Sequence, residues 1–390
     1  MSVWMHGRRP LGGAVAAMVL GAALAAVLLA TAPVASPAGV PSPPPPAAAV
    51  PPGAIVLDEF ADGPSAPAER IAAGGGWLAW SHRDPVTGSY QLMLRAPDRK
   101  IAPAGVAERA LPFDVSIGPT AAGGTAAVYS RCADVSTNTG CRIVELALPG
   151  DTPTERTIRV PGGGSVHSPA LYGDHLAFLR VRPGGGTGHP DAMFVWTFGS
   201  AHLQACKLPR DTFTPAQLKA DPSLRATDGE TGQITALSLT GPPLTGPTRV
   251  AYTRVANVGD LTTSDMWLQS PGGRPQLIDR VNTGGASSGL RTYLGPTVIN
   301  RSIYSLRQYS DLGETYVRYS LVDHAAAQAE IALSGLREYR VDSAVPDPAG
   351  LAWSVTNSGS RIGGTTLVLL HPNITWQTIP RPHAAHLPAY

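Results

Sequence analysis

Four basic side chains stand at one recurring position of the sequence, two residues after an aromatic residue in a short apolar segment. They are His82, Arg131, Arg180 and Arg254. Guanidinium groups bind oxyanions through paired hydrogen bonds, so an arc of such groups could receive a carboxylated sugar, a phosphate or an acidic protein segment. The alternative is that each group binds carbonyl oxygens of the adjacent repeat. If the arc binds a ligand, its groups should be partly exposed and should lack carboxylate partners within the fold.

The sequence offers few residues for catalysis. Ser287 lies in Gly285-Ala286-Ser287-Ser288-Gly289, which matches the serine-hydrolase elbow, but the run around it is polar and has no strand before it or long helix after it. We therefore expect Ser287 to lack a histidine partner. The 10 histidines are scattered without metal-ligand spacing, and no phosphate-binding loop occurs in a strand–helix setting. We predict no catalytic residue, no metal and no cofactor.

Three cysteines are present. Cys132 and Cys141 flank a turn-rich segment that includes Ser136 to Gly140, which favours a disulfide across the base of a hairpin in an oxidising compartment. The alternative is two unrelated thiols. Cys206 is left without a cysteine partner.

The first residues of the chain are typical of an export signal. Arg8-Arg9 precede an uncharged apolar run from Leu11 to Ala32, which is long enough to span a bilayer. Residues 1–32 are therefore predicted to be either a cleaved signal peptide or an uncleaved transmembrane anchor. Residues 33–53 are rich in proline and predict an extended, disordered linker that holds the following domain away from a membrane or within a cell wall.

From residue 54 onwards the chain repeats one pattern, about every 50 residues. A short apolar strand carries a large aromatic residue at Trp80, Tyr129, Phe178, Tyr252, Tyr304 and Trp353. Each copy then continues with a loop, a second strand, a turn and a third strand, the last of these spanning 374–379 in the final copy. A further inner strand opens each copy, so that four short strands recur in order, as in a propeller blade. The aromatic residues are expected to fill the space between neighbouring blades.

The repeats are carried by lines such as GGGWLAWSHRDPVTGSYQLMLR, LYGDHLAFLRVRPGGGTGHPDAMFVW and TRVAYTRVANVGDLTTSDMWLQ. They resemble the TolB-like, WD40-like propeller repeats of exported bacterial proteins. The resemblance covers residues 54 to about 380 and is architectural, since these motifs carry no catalytic residue. It implies binding or scaffolding in the cell envelope.

Two further features bear on the fold. The interval between the third and fourth aromatic residues is about 25 residues longer than the others, and the extra residues lie at 209–233. Within them, Thr214-Pro215-Ala216-Gln217 predicts a capped helix start. Such an insertion is either a partner-contact element or a tolerated loop. The segment Ala54-Ile55-Val56-Leu57 predicts an extra strand that could pair with the last blade and close the ring.

The balance of 30 basic against 28 acidic residues gives a net charge of +2, which does not indicate a nucleic-acid partner. We predict an all-β, six-bladed β-propeller at 54–380, or a seven-bladed one if the extra strand belongs to a degenerate blade, followed by a flexible tail at 381–390. The predicted function is a monomeric, non-catalytic binding or scaffold module outside the cytoplasmic membrane, touching the membrane only through its N-terminal segment, with a protein or envelope glycan as partner.

Two alternatives stay open. One is an envelope lyase or hydrolase acting on sugars in the propeller channel, where Asp114 and Asp342 are the obvious inner-strand acids. The other is an anion or uronic-acid sensor that uses the basic arc. Fold alone does not decide between these functions.

Overall fold

The computed structural model describes the backbone of residues 55–60, 71–149, 154–182, 191–229, 231–240, 248–258, 261–284, 291–299, 302–309, 318–323, 328–330, 339–347, 350–357, 365–370 and 376–378. Side chains are described chiefly for 57–58 and, within those ranges, between 71 and 281. The predicted export segment, Pro-rich linker and C-terminal tail lie outside the described residues. Within the described ranges, no helix has the length and apolar character needed to cross a membrane.

The described strands form six antiparallel sheets, and four of these sheets are each built from four consecutive strands. The chain begins with β1 (Ile55–Phe60), and these four sheets follow it: β2 (Ala72–Gly74), β3 (Trp77–Arg83), β4 (Tyr90–Arg95) and β5 (Ile101–Pro103); β6 (Ser116–Pro119), β7 (Thr125–Arg131), β8 (Arg142–Leu148) and β9 (Glu155–Ile158); β10 (Val166–Tyr172), β11 (His175–Arg180), β12 (Ala192–Thr197) and β13 (Leu203–Cys206); and, after helix α1 (Pro215–Ala220) and a 3₁₀ helix at Pro222–Ala226, β14 (Gln233–Thr240), β15 (Arg249–Val258), β16 (Leu261–Gln269) and β17 (Gln276–Gly284).

Each of the last two sheets includes an outer strand from a distant part of the chain. The fifth sheet contains β18 (Arg291–Ile299), β19 (Ser302–Tyr309), β20 (Arg318–Asp323) and β21 (Gln328–Glu330), and the sixth contains β22 (Tyr339–Asp347), β23 (Gly350–Asn357) and β24 (Thr365–Leu370). β25 (Trp376–Thr378) pairs with β21 as a fifth strand. The prediction that 374–379 is the outer strand of its own copy is therefore wrong.

The outer position of the sixth sheet is taken by β1, which pairs with β24 from Ile55↔Leu369 to Phe60↔Thr365. The prediction that this N-terminal strand pairs with the last blade is confirmed. β1 also reaches the first sheet, because Asp58 accepts a hydrogen bond from Trp80 Nε1 at 2.7 Å and Leu57 packs with the buried Trp80. One strand thus joins the two ends of the repeat.

The innermost strands contact one another in the order β2, β6, β10, β14, β18 and β22, and β22 contacts β2 in turn. Glycines permit this close approach: a side chain at Gly74 would meet Ile117 O at 2.7 Å, and one at Gly118 would overlap Leu171 O. A backbone approach of this kind requires the absence of a Cβ atom. Radially arranged, four-stranded antiparallel sheets around inner strands define an all-β propeller.

The recurring aromatic residues all lie on the second strand of their sheets. Trp80, Tyr129, Phe178 and Tyr252 are fully buried, which confirms their predicted place in the core. Burying a large apolar side chain contributes about 1.5–3 kcal/mol each. The polar groups of these rings make hydrogen bonds; for example, the Tyr129 hydroxyl donates to Glu155 Oε1 at 2.6 Å. The side chains at 304 and 353 lie outside the described residues.

Candidate functional site

The two ends of the propeller carry different connections. Because the strands are antiparallel, the loops between second and third strands lie at the same end as the connections between sheets. That end carries the long described segments 132–141 and 207–229, whereas the opposite end has turns as short as Gly75–Gly76. Functional groups are found preferentially on loops held by a rigid scaffold. We name this side of the molecule the long-loop end and treat it as the candidate site.

The loop between β7 and β8 is closed by a disulfide between Cys132 and Cys141, whose Cα atoms are 3.8 Å apart. This confirms the predicted pairing. Inside the loop, the Asp134 carboxylate accepts hydrogen bonds from Ser136 N at 2.9 Å and Thr137 Oγ1 at 2.8 Å. The bonds from Ser136 and Thr137 lower the pKa of Asp134 below its ordinary value. The loop is thus a fixed feature of this end.

Three of the four residues in the predicted basic arc have carboxylate partners inside the fold. His82 Nδ1 lies 2.9 Å from Asp58, Arg131 Nη2 lies 2.6 Å from Glu155, and Arg254 Nη2 lies 2.5 Å from Asp265. The expectation that these groups lack such partners is therefore wrong. These acids lie on β1, β9 and β16, and those beside the two arginines supply the counter-charge that a buried cation requires.

Arg180 differs from the other three. Among the described residues it has no carboxylate partner, and its one hydrogen bond runs from Nη2 to Pro161 O at 2.7 Å. Its guanidinium lies over the rings of Phe178 and Phe194, at 5.7 and 4.9 Å from their centroids. Its Nε is buried without a partner. Desolvation lowers the pKa of Arg180 below its ordinary value.

Asp114, the acid predicted on an inner strand, lies just before β6 and joins three chain segments. Its carboxylate accepts from Arg109 Nη1 at 3.1 Å, Ser130 N at 3.0 Å, Ser130 Oγ at 2.6 Å and Ser168 N at 2.8 Å. Burial would raise the pKa of Asp114, but Arg109 and the donors from Ser130 and Ser168 outweigh it and hold the pKa below its ordinary value. This carboxylate therefore joins the second sheet to the third.

A second polar cluster at this end was missed by the sequence reasoning. His167 Nε2 lies 2.7 Å from Asp191 Oδ2, and its Nδ1 lies 3.0 Å from Ser168 Oγ. If Asp191 accepts the Nε2 proton, Nδ1 accepts the Ser168 hydroxyl proton. Ser168 has a φ of 50°, at a bulge in β10. No local sequence motif indicates this cluster, because Asp191 lies beside His167 only through the pairing of β10, β11 and β12.

The insertion between β13 and β14 is fixed to the fourth sheet by a buried charge cluster. Asp211 accepts from Arg254 Nη2 at 2.9 Å and from Arg280 Nη2 at 3.1 Å. Asp265 lies between the same two arginines, 2.6 Å from Arg280 Nε. Burial would lower the pKa of Arg280, but Asp265 and Asp211 outweigh it and raise the pKa. Two cations and two anions thus compensate one another.

The helix of the insertion begins as the sequence predicts. Thr214 is the N-cap of α1, Gln217 N donates to Thr214 Oγ1 at 3.3 Å, and the Gln217 side chain accepts from Thr214 N at 2.9 Å. This reciprocal pair is a capping box, which stabilises the first turn. No residue of α1 is buried, and Lys219 and Arg225 are exposed.

Other site predictions concern residues without a described side chain. Ser287 lies outside the described residues, and so does the side chain at 342. In the part of the chain that the structure describes, no group of three or more His, Cys, Asp or Glu side chains could hold a metal ion.

Comparison with known proteins gave no match to a family model and no match to a curated protein. Among solved structures, the chain is similar to Aleuria aurantia lectin in complex with Fucα1-6GlcNAc, at 10% identity over 82% of this chain and 97% of that chain, with a TM-score of 0.44. It is also similar to the β-propeller domain of the Trilobed protease from Pyrococcus furiosus, at 8% identity over 80% and 82% of the two chains, with a TM-score of 0.38.

A prolyl endopeptidase is also similar, at 10% identity over 75% of this chain, with a TM-score of 0.34. This chain spans only 47% of that protein. The predicted TolB-like or WD40-like family is not confirmed, whereas the all-β propeller is.

Proposed function

We propose that this protein is a non-catalytic binding or scaffold module whose contact surface is the long-loop end. The observation that carries the proposal is the insertion between β13 and β14, which is fixed by the buried Asp211 and yet carries a helix, α1, with no buried residue. Burying Asp211 would cost several kcal/mol without its two arginine partners. A segment that is anchored by buried ion pairs while α1 remains on the surface is suited to contact another molecule.

The chemistry of this surface favours an acidic partner in the cell envelope. Lys219 and Arg225 are exposed cations of the insertion, and no ion pair within the described part of the chain engages them. Exposed charges of one sign steer an oppositely charged partner and speed its association. An acidic protein surface or an acidic envelope glycan has the complementary charge.

The proposed location is outside the cytoplasmic membrane, with the six sheets closed into one six-bladed ring. The Cys132–Cys141 disulfide supports this location, since such bonds persist in oxidising compartments. The basic start and apolar run of residues 1–32, followed by the Pro-rich stretch, also favour export as a cleaved or anchored form. The resemblance to TolB-like repeats agrees with an envelope role.

Catalysis by the polar cluster at β10 is not part of the proposal. The backbone N–H of Ser168 is occupied by the Asp114 carboxylate at 2.8 Å. Negative charge that developed beside Ser168 would therefore face a carboxylate rather than the hydrogen-bond donors that stabilise an oxyanion. A structural role for His167, with both ring nitrogens satisfied, accounts for the same contacts.

The test is a charge reversal on the insertion. Lys219→Glu combined with Arg225→Glu should abolish most of the retention of the full chain on an envelope fraction from its own organism. The matched control reverses Lys100 and Arg274, which are exposed on turns at the opposite end. Equal retention of both double variants would contradict the proposal, as would a loss of retention only in the control.

A further inference from the structure

Arg180 occupies the same repeat position as three groups that each contact an internal carboxylate. The position beside Arg131 is filled by Glu155, whose Oε1 lies 2.8 Å from Nε and 2.6 Å from Nη2. The position beside Arg254 is filled by Asp265. At Arg180 the only described acceptor is a neutral carbonyl oxygen, that of Pro161. Among the described residues, the third sheet therefore has this cation without an internal counter-charge.

The surroundings of Arg180 make that missing charge costly. Two aromatic rings cover the guanidinium, Nε is buried without a partner, and desolvation lowers the pKa of the group. Cation–π contact offsets part of the lost hydration but provides no hydrogen-bond acceptor. An anion that reached this guanidinium would meet a partly dehydrated donor, at which charge-assisted hydrogen bonds are strong.

Access to Arg180 is bounded by a segment without side chains. Gly162, Gly163 and Gly164 have φ values of 81°, 60° and 86°, a left-handed backbone that favours glycine. A Cβ atom at Gly162 would lie 3.2 Å from Arg180 Nη1, whereas one at Gly163 would have nothing within 4 Å. Because residue 162 is a glycine, it places no side-chain atom beside Nη1.

We propose that Arg180 is a binding site for a carboxylate supplied by a ligand. The ligand's carboxylate takes the place that Glu155 takes at Arg131, with Nη1 as its first donor. The inference rests on the proposed function, because it names the chemistry that the long-loop end recognises. A carboxylate is favoured because a carboxylate fills the corresponding position in the neighbouring blades.

The test measures binding of methyl β-D-glucuronoside to the full chain by isothermal titration calorimetry. Methyl β-D-glucoside is the neutral control, and acetate is a second carboxylate without a sugar ring. The glucuronoside should bind at least about tenfold more tightly than the glucoside, and Arg180→Gln should remove that difference. Acetate that competes with the glucuronoside assigns recognition to the carboxylate alone, while failure to compete assigns a part of it to the ring. Both acetate results support the inference when the glucuronoside preference depends on Arg180.

Two glycine variants separate blocked access from a general loss of folding. Gly162→Ala places a methyl group beside Nη1 and should weaken glucuronoside binding severalfold, whereas Gly163→Ala carries a similar left-handed strain in open space and should not. Because neither changes the charge, this pair decides the question even if Arg180→Gln fails to fold. Equal affinity for glucuronoside and glucoside, or equal effects of the two glycine variants, would overturn the inference. Retention on the envelope fraction that persists in Arg180→Gln would then leave the proposed function standing without it.

Discussion

Replacing Asp114 by alanine should destabilise the domain substantially, because this carboxylate is the shared acceptor for donors from three segments. The substitution leaves the Arg109 guanidinium, whose side chain is 10% exposed, without its counter-charge, and it leaves Ser168 N without its acceptor. Breaking a buried pair costs about 3–5 kcal/mol, and each unsatisfied backbone donor costs about 1–3 kcal/mol. Asp114 is itself 24% exposed, so solvent reduces the sum. We expect a loss of about 3–4 kcal/mol.

Thermal unfolding followed by circular dichroism measures this loss. At about 2 °C per kcal/mol for a large domain, the melting temperature should fall by roughly 6–8 °C. Asp174→Ala is the control, since Asp174 is 51% exposed and pairs with His175 at the surface. Its replacement should change stability by less than about 1 kcal/mol. An Asp114 variant that melts within about 2 °C of the unchanged protein would refute this account of the network.

The same carboxylate predicts a pH dependence. Its folded-state pKa lies below the ordinary value of 3.8, so its ionised form stabilises the fold at pH values above 3.8. That contribution is lost as the pH falls through the folded-state pKa. The stability difference between the unchanged protein and Asp114→Asn should therefore be constant near neutral pH and should shrink in the acid range, as measured by urea unfolding. A difference that grows with acidification would contradict the sign of the shift.

Two further predictions concern packing and thiols. Gly118→Ala should destabilise the domain by about 1–3 kcal/mol in urea unfolding, because its Cβ would overlap a neighbouring inner strand. Gly124→Ala should cost less, because the nearest neighbour of its Cβ would be at 3.4 Å. Equal losses in the two variants would contradict this prediction. In alkylation followed by mass spectrometry, Cys206 should be unreactive in the folded protein, since burial raises its pKa to about 12, and it should be the one thiol labelled after unfolding without reductant. Labelling of Cys132 and Cys141 without reduction would disprove their bridge.

The features that the sequence predicts well are those with a local cause. The buried rings recur at one strand position because each blade must fill the same space, and Trp80 and Tyr252 confirm this. The capping box at Thr214 and Gln217 is contained within four consecutive residues, so it can be recognised from the sequence alone.

The features that the sequence does not predict arise from contacts across strands. Arg254 lies directly opposite Asp265 in the pairing of β15 with β16, and aligning the two strands about their hairpin could have revealed this pair. No comparable alignment places Asp58 beside His82, because β1 belongs to the sixth sheet, where it pairs with β24. The displacement of β25 to the fifth sheet has the same origin, since the outer position of the sixth sheet is already filled.

The position of β1 also affects the order in which the strands can pair during synthesis. Its partners at Leu369 and Thr365 are the last to be synthesised of the strands in its sheet, so β1 must wait as an unpaired segment while the intervening sheets are made. Pairing over so long a stretch of chain is intrinsically slow, and an unpaired strand with an apolar residue such as Leu57 is prone to associate wrongly. The order of synthesis therefore makes the pairing of β1 with β24 a late event. A chain that stopped before β24 would leave β1 without a strand to pair with in its sheet.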